Sequence, residues 1–283
     1  YGKACMANVF FSAKNDKKIL VKVGISGVSI DGARKNLTEE ISAWSFEEIL
    51  QKAISQWNKE LGKIQVEGGT PDQQAVFSTA LYHTMIQPNI YNDVDRQYRG
   101  RDLQVHRADS FDYYTVFSLW DTYRAAHPLY TIIDQKRTGN FIRTFLQQYK
   151  EGGMLPVWEL SGNETGCMIG YHAVPVIADA WLKGIRGYDG NLALEAMKHS
   201  ANQDHLGLKY YKEKGYIPAD KDGESVSKTL EYAFDDWSIA MMAKSLNRDE
   251  DYKNFIIRAQ NYKNVYDRLT GFMRAKLNET WFS

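Results

Sequence analysis

The residues best suited to chemistry lie between positions 151 and 184, around the carboxylate of Glu164. Trp158 precedes Glu164, and Tyr171 and His172 follow it within eight positions. Paired glycines make the first half of this stretch irregular, whereas the apolar second half predicts a helix that begins just after Glu164. A loop carboxylate with aromatic rings nearby is typical of a functional site. The alternative is an ordinary acidic residue at a helix start, where the helix dipole favours negative charge.

A second group of polar and aromatic residues falls within 113–127, a segment that we predict to be a helix ending before Pro128. Trp120, Asp121 and Arg124 cluster in this segment. Asp121 and Arg124 are three positions apart, so a helix would place them on one face. All three residues are candidates for ligand binding, and the alternative for Asp121 and Arg124 is a surface ion pair.

A pair of aspartates, Asp235 and Asp236, stands in the middle of a strongly apolar segment that we predict to be helical over 225–246. Ionised carboxylates that are buried in such a helix without partners would be costly. We therefore expect both side chains to face a polar cavity or to reach solvent.

The composition of the 283-residue chain excludes several classes of function. Lys+Arg and Asp+Glu are equal at 35 each, so no excess of charge recruits nucleic acid or an anionic membrane. No apolar run approaches the roughly 18 residues that a membrane span needs. Aromatic residues make up 13% of the chain. Sugar rings stack well on flat aromatic faces, although an aromatic core explains such a content equally well.

The cysteines could indicate the cellular compartment, and the chain ends could indicate whether the sequence is part of a longer protein. Cys5 and Cys167 are far apart and form neither a metal-binding spacing nor a disulfide framework, so they leave the compartment undecided. The chain opens on an apolar, strand-like pattern without an initiator Met, and it closes on aromatic residues. We therefore expect it to be an internal piece of a longer protein.

The first third of the chain changes from strand patterns to helix patterns. Residues 1–31 alternate in short β-rich runs, which predicts a hairpin at the end of a β domain. A capping box at 45–48 starts an apolar stripe that stops at Gly62, which predicts a linker helix. A second capping box at 70–73 starts a helix that should end before Pro88.

The remaining two thirds of the chain are mostly helical in pattern. After a polar loop or small hairpin at 92–110, we predict further helices over about 138–149, 191–201, 225–246 and 249–267. Pro175 is expected to interrupt the helix that follows Glu164. Successive helices joined by loops of uneven length favour an α/α barrel or solenoid.

Three stretches together resemble one family: FSLWDTYRAAHPL at 117–129, GNETGCMIGYHAVPVIADA at 162–180 and SVSKTLEYAFDDWSIA at 225–240. They are similar to motifs of the calcium-dependent exo-α-mannosidases of glycoside hydrolase family 92. The resemblance implies a mainly α fold in three parts. These parts are the end of an N-terminal β-sandwich domain at 1–32, a linker helix at 33–69 and a partial (α/α)6 catalytic barrel at 70–283.

The resemblance also implies a mechanism. It assigns the role of general acid to Glu164, which would protonate the glycosidic oxygen and must stay protonated near neutral pH. Family enzymes invert the anomeric configuration, using a second carboxylate about 6.5–9.5 Å away to activate water. No match to the family's base motif occurs before Ser283. Asp121, Asp235 and Asp236 are candidates within the chain, but sequence spacing does not place them opposite Glu164.

The ligands follow from the same resemblance. Calcium is the expected cofactor, although its ligands in this chain are unknown. Asp121 resembles a substrate-binding acid, and Trp120, Arg124, Tyr171 and His172 are expected to line the same pocket. The expected partners are α-mannoside glycans, with no nucleic acid and no membrane span.

Two functions are therefore expected of this sequence. The first is an exo-α-mannosidase, periplasmic or extracellular, with α-1,2 linkages as the expected preference. This chain by itself would be inactive, because it lacks the base. The second is a carbohydrate-binding or structural helical barrel without catalysis, which the missing base segment favours.

Overall fold

The computed structural model describes residues 6–11, 18–278 and 280–281. Helices dominate it, which confirms the predicted mainly α fold. The helices of the described residues are α1 (Ile30–Glu40), α2 (Phe46–Leu61), α3 (Pro71–Met85), α4 (Leu119–Thr122), α5 (Ala126–Ile133), α6 (Gln135–Gly152), α7 (Ala173–Leu182), α8 (Gly190–Ala201), α9 (Leu208–Lys214), α10 (Ser225–Ser245) and α11 (Asp249–Arg258), and a 3-10 helix at Asn261–Val265.

Short strands connect the helices and pair antiparallel. The strands of the described part are β1 (Asn89–Ile90), β2 (Gln97–Arg99), β3 (Val105–Arg107), β4 (Tyr114–Thr115), β5 (Phe117–Ser118), β6 (Trp158–Leu160), β7 (Asn163–Glu164), β8 (Tyr266–Asp267), β9 (Phe272–Met273), β10 (Lys276–Leu277) and β11 (Thr280–Trp281). They form the small sheets β1–β4, β2–β3, β5–β6–β7, β8–β9 and β10–β11. The β2–β3 pair is the small hairpin that the polar segment at 92–110 predicts.

The core lies among α6, α7, α8 and α10, and it anchors one strand of the site. Phe141 and Phe145 of α6 meet Phe117 of β5 edge to face, with ring centroids 5.7 and 4.8 Å apart. Ile177 of α7 and Met242 of α10 are fully buried in the same cluster. Burial of each such side chain contributes about 1.5–3 kcal/mol. The sheet that contains β5 therefore rests on the helical core.

The two predicted capping boxes locate helix starts correctly. The Ser45 hydroxyl accepts the N–H of Glu48 at 3.2 Å, and α2 ends at Gly62 as expected. Thr70 and Gln73 form the complete reciprocal box at the start of α3, with distances of 3.3 and 2.8 Å. These bonds give acceptors to backbone N–H groups that have none within the helix. Because the capping residues lie only three positions apart, the local sequence was enough to predict where each helix starts.

The predicted helix over 113–127 is wrong. Strands β4 and β5 occupy its first half, α4 its middle, and α5 runs through the predicted stop at Pro128. Residues 114–117 are aromatic or β-branched, a composition that favours strands, and here β4 and β5 pair with β1 and β6. Pro128 is the third residue of α5, where the helix needs no intrahelical N–H donor.

Two other helix boundaries differ from prediction. The helix expected just after Glu164 begins only at Ala173, and Pro175 lies in the first turn of α7, so it does not interrupt the helix. The helix predicted over 249–267 ends at Arg258 and is followed by the 3-10 helix and β8.

The N-terminal hairpin is not found among the described residues 6–11 and 18–29, which have no strand, and most of its predicted turn lies outside the described residues. Helix α1 was not predicted, although the sequence contains a signal for it. The Ser29 hydroxyl accepts the N–H of Gly32 at 2.9 Å and caps the helix, and Asp31 lies in its first turn. The domain boundaries at 32 and 69 stay predictions.

Candidate active site

The three-stranded sheet β5–β6–β7 carries Glu164 on its last strand. Glu159 of β6 lies directly opposite Glu164 of β7. The turn between these strands contains Gly162, whose φ is 78°, and a Cβ at this position would lie 2.9 Å from the carbonyl oxygen of Arg99. Both the backbone angle and the available space require glycine. The turn that leads into Glu164 is therefore closely packed on the β2–β3 hairpin.

Backbone amides hold the Glu164 carboxylate in one orientation. Its Oε2 accepts the N–H of Val157 at 2.9 Å, and its Oε1 accepts the N–H groups of Trp158 at 2.9 Å and Gly166 at 3.1 Å. Glu164 thus stands on a short strand rather than at the predicted loop–helix junction. A half-buried carboxylate fixed by three backbone donors is pre-organised for contact with a ligand.

Helix α4 begins next to the strand that supports Glu164. Its first residue, Leu119, donates its N–H to the carbonyl oxygen of Val157 at 3.2 Å. The Ser118 hydroxyl donates to the carboxylate of Asp121, which is exposed. The structure therefore brings the predicted acid and the predicted substrate-binding aspartate to the same end of one small sheet.

Arg124 does not form the surface ion pair with Asp121 that was the alternative to a role in ligand binding. It binds Glu231 instead, at 2.9 Å, and it donates to the Tyr123 hydroxyl at 3.0 Å. Its guanidinium lies over the Trp120 ring, 4.8 Å from the centroid. The indole N–H of Trp120 is buried and has no acceptor among the described residues. The guanidinium therefore covers one face of the Trp120 ring while it pairs with Glu231.

His172 is buried between two carboxylates. Its Nδ1 lies 2.8 Å from Asp235, and its ring stacks on Tyr123 with centroids 4.1 Å apart. Its Nε2 lies 3.2 Å from Glu231, close enough for an ion pair but without hydrogen-bond geometry. Burial lowers the pKa of His172, but Asp235 and Glu231 more than offset burial and raise this pKa to about 9. His172 is therefore a cation at neutral pH.

Asp236 has a separate set of partners. It accepts the hydroxyls of Tyr171 at 2.8 Å and Tyr211 at 2.9 Å, and Arg258 donates to it at 3.0 Å. Burial raises the pKa of Asp236 to about 6, and Arg258 and the two tyrosines oppose that rise. The expectation that Asp235 and Asp236 face a cavity or solvent is wrong, because both are fully buried and paired.

Tyr171 and His172 differ from the other predicted pocket residues. They are only 4% and 1% exposed, and their polar atoms are directed to Asp236 and Asp235. His172 is connected to Arg124 through Glu231 and Tyr123, each of which contacts both residues. The predicted contact of Tyr171 and His172 with a ligand stays a prediction.

The free energy of unfolding is expected to fall as pH rises from about 6.5 to about 9. The pKa of His172 is about 9 in the folded protein against 6.5 as the ordinary value. The folded state therefore binds a proton that the unfolded state releases in this window, and the loss amounts to at most about 3 kcal/mol. Urea denaturation at several pH values between 6.5 and 9 measures this loss of free energy of unfolding. The His172→Gln variant should lose most of this slope, and an unchanged slope would contradict the assignment.

The expected calcium site does not form from the described residues alone. Among them, no three histidine, cysteine, aspartate or glutamate side chains come together in a way that could hold a metal ion. The buried carboxylates that do cluster are already occupied by His172, Arg258 and tyrosine hydroxyls. Calcium and its ligands stay predictions.

Several residues of the site were not singled out by the sequence. Glu231 is the clearest case, because it lies one helical turn before Asp235 on α10 and therefore shares its face, a signal that the sequence contains. Tyr123 lies inside the recognised 117–129 stretch. Glu159 and Arg258 had no comparable signal, because strand pairing and helix packing bring them to the site.

The chain is similar to known glycosidases. The model of the glycosyl hydrolase family 92 catalytic domain matches residues 32–283. An α-mannosidase of this family from Bacteroides thetaiotaomicron is 43% identical, with a TM-score of 0.87 over 91% of this chain and 35% of its own. A family inverting mannosidase from the same organism is 35% identical, with a TM-score of 0.86 over 91% of this chain and 36% of its own.

Two further comparisons bear on ligand and context. The first α-mannosidase was also solved in complex with mannoimidazole. A protein from Arthroderma benhamiae described as an uncharacterized secreted glycosidase is 29% identical, over 90% of this chain and 31% of its own length. The chain thus spans about a third of the length of these relatives. Within residues 6–11, 18–278 and 280–281, no helix has both the length and the apolar character that crossing a bilayer requires.

Proposed function

Because the chain belongs to glycoside hydrolase family 92, we propose that it carries the acid half of an exo-α-mannosidase site, which releases terminal α-linked mannose from glycans. The observation that carries the proposal is the Glu164 carboxylate, which three backbone donors fix at the end of the small sheet where α4, with the exposed Asp121, begins. A glycosidic oxygen leaves poorly until it is protonated, and a positioned carboxylic acid supplies that proton. Glu164 is this general acid.

The proposed reaction inverts the anomeric configuration, and one solved relative from Bacteroides thetaiotaomicron is an inverting mannosidase of this family. Inversion needs a second carboxylate about 6.5–9.5 Å from the acid, with room for water between them. Asp235 and Asp236 do not suit this role, because they are fully buried and engaged by His172 and Arg258. The proposed base is a carboxylate in the family's later motif, which this chain does not contain.

The proposed substrate contacts come from the exposed end of α4. Asp121 offers a carboxylate to sugar hydroxyls, and Trp120 with Arg124 offers a ring face and a cation. Tyr171 and His172 belong to the same proposed pocket, and their buried hydrogen bonds give them the additional task of supporting it. His172 does so through Glu231, which holds Arg124 in place.

Calcium, a preference for α-1,2 linkages and a periplasmic or extracellular location complete the proposal. Bound calcium is a hard cation that prefers oxygen ligands, so it would coordinate sugar hydroxyls. The described residues do not form a calcium site by themselves, and the proposed role of Glu164 does not depend on the ion. The relative described as a secreted glycosidase supports the location.

A second candidate is a carbohydrate-binding barrel that does not catalyse hydrolysis. The observation that favours it is that Asp235 and Asp236, two of the aspartates that could have served as the base, are buried and engaged by His172 and Arg258. Binding would still use Trp120, Asp121 and Arg124. The two candidates differ in whether mannose is released, and they agree in predicting that a mannose-like ligand binds.

Release of mannose from α-1,2-, α-1,3- and α-1,6-linked mannobioses tests the proposal. The natural full-length protein is incubated with each disaccharide, with and without EDTA, and the first anomer is observed by proton NMR. We expect β-mannose as the first product and the fastest release from the α-1,2 linkage. Release should stop when EDTA is present. Initial α-mannose would overturn inversion. No release from any linkage, with mannoimidazole binding retained in calorimetry, would favour the carbohydrate-binding candidate.

A further inference from the structure

A buried carboxylate stands directly opposite Glu164 and has no part in the steps above. Glu159 is completely buried. Its two oxygens accept the Thr115 hydroxyl at 2.9 and 3.0 Å, the N–H of Val116 at 3.2 Å and the N–H of Gly162 at 2.7 Å. One side chain thus joins the β4–β5 corner to the turn that leads into Glu164.

The backbone that Glu159 holds is strained at two positions. Val116 has a φ of 67° and Ser161 a φ of 51°, values in the left-handed region that a β-branched residue such as valine rarely adopts. Such strain persists only where the surroundings enforce it, and it concentrates at functional sites. The N–H of Val116 donates to Glu159, and the N–H of Ser161 donates to the Thr115 hydroxyl at 2.6 Å. Both strained residues are therefore held by the Glu159–Thr115 pair.

We propose that Glu159 is a positioning residue for Glu164, which it serves by holding the β6–β7 turn against the β4–β5 corner. The inference rests on the proposed function, since Glu164 must be the general acid for its position to matter. A shift of about 1 Å in a catalytic group is enough to cost about a hundredfold in rate. The turn is short, so any movement of Gly162 is passed to Glu164 two residues later.

The surroundings of the Glu159 carboxyl disfavour its charged form. Burial raises the pKa of Glu159 to about 7, hydrogen bonds from Gly162, Thr115 and Val116 oppose the rise, and the charge of Glu164 adds to it. The other titratable groups that act on this carboxyl are the hydroxyls of Tyr91 and Tyr113, with Arg99 beside Tyr91.

The Glu159→Gln variant separates positioning from a merely structural role. The amide keeps one oxygen acceptor but replaces the other by an NH2 donor, so part of the contact with Thr115, Val116 and Gly162 is lost. We expect kcat for mannobiose to fall about tenfold to a hundredfold with KM within a few-fold, because a displaced acid impairs the chemical step more than it impairs sugar binding. An unchanged kcat, or a loss that appears equally in KM, would overturn the proposal, whatever the effect on stability.

Asp267→Asn is the matched control. Asp267 also holds a turn through several donors, accepting the N–H of Leu269 at 2.9 Å, the Thr270 hydroxyl at 3.0 Å and the Arg274 guanidinium at 2.6 Å, and none of these partners belongs to the sheet that carries Glu164. This variant should keep kcat within a few-fold of the parent value. A loss of kcat equal to that of Glu159→Gln would mean that any networked carboxylate has this effect, and it would overturn the proposal.

Two substitutions at Thr115 test the same contact without changing a charge. Thr115→Ser keeps the hydroxyl and should keep kcat within a few-fold, whereas Thr115→Val removes it and should lower kcat about tenfold or more. Equal kcat in the two variants would overturn the role of the Glu159–Thr115 pair. If the parent protein releases no mannose, the proposed function fails first. Hydrogen exchange at the Val157, Trp158 and Gly166 amides still tests positioning, because these amides should exchange faster in Glu159→Gln.

Discussion

Glu164→Gln is expected to lower the rate of mannose release from an α-linked mannobiose by about 10²–10⁴-fold in the natural full-length protein. The glutamine keeps the size of the side chain and one acceptor oxygen, which is enough for the amides of Trp158 and Gly166 but not also for that of Val157. It has no proton to give to the departing oxygen, so the loss should appear in kcat rather than in the binding of mannoimidazole. Steady-state kinetics and calorimetry measure the two effects.

The nature of the leaving group makes this test specific. 2,4-Dinitrophenolate departs as a stable anion without protonation, so the Glu164→Gln variant should be far less impaired on 2,4-dinitrophenyl α-mannoside than on mannobiose. Glu195→Gln, at an exposed glutamate on α8, is the control and should have parental activity on both substrates. Equal losses on the two substrates would show that Glu164 orients the sugar or the backbone and does not supply the proton.

Asp235→Asn is expected to reduce the free energy of unfolding by about 3–5 kcal/mol. Asp235 is fully buried, lies 2.8 Å from the His172 ring and accepts the N–H of Tyr171 at 2.9 Å. Removing one charge of such a pair leaves the other buried with less compensation, and this residual charge is the main cost. Urea denaturation at pH 7 measures the change, provided that the slope against urea concentration is unaltered.

Two further variants test this explanation. Asp251→Asn removes an ion pair with Lys198 that is about a quarter exposed on both sides, and it should cost at most about 1 kcal/mol. The double variant Asp235→Asn with His172→Gln replaces two charges by two amides, so it should lose less than the sum of the single variants. Strict additivity would show that the Asp235–His172 contact contributes little to stability.

Helix starts with their own side-chain caps were predictable, and helices that depend on distant partners were not. Ser45 and Thr70 cap helices through residues three positions away, so the sequence contains the complete signal. Pro128 and Pro175 suggested breaks where the structure has first turns, because a proline marks a boundary without showing on which side the helix lies. The first part of the segment at 113–127 forms strands because β1 and β6 are available as pairing partners.

The sequence by itself determined the mainly α class and the motifs around Glu164, Asp121 and the two aspartates of α10, since residue type and spacing are local properties. Only the tertiary structure decided what surrounds them. Strand pairing placed Glu159 opposite Glu164, and packing of α7, α10 and α11 buried His172 and the aspartates with their partners. Burial and opposite charge set the pKa of these groups, and both depend on neighbours that are distant along the chain.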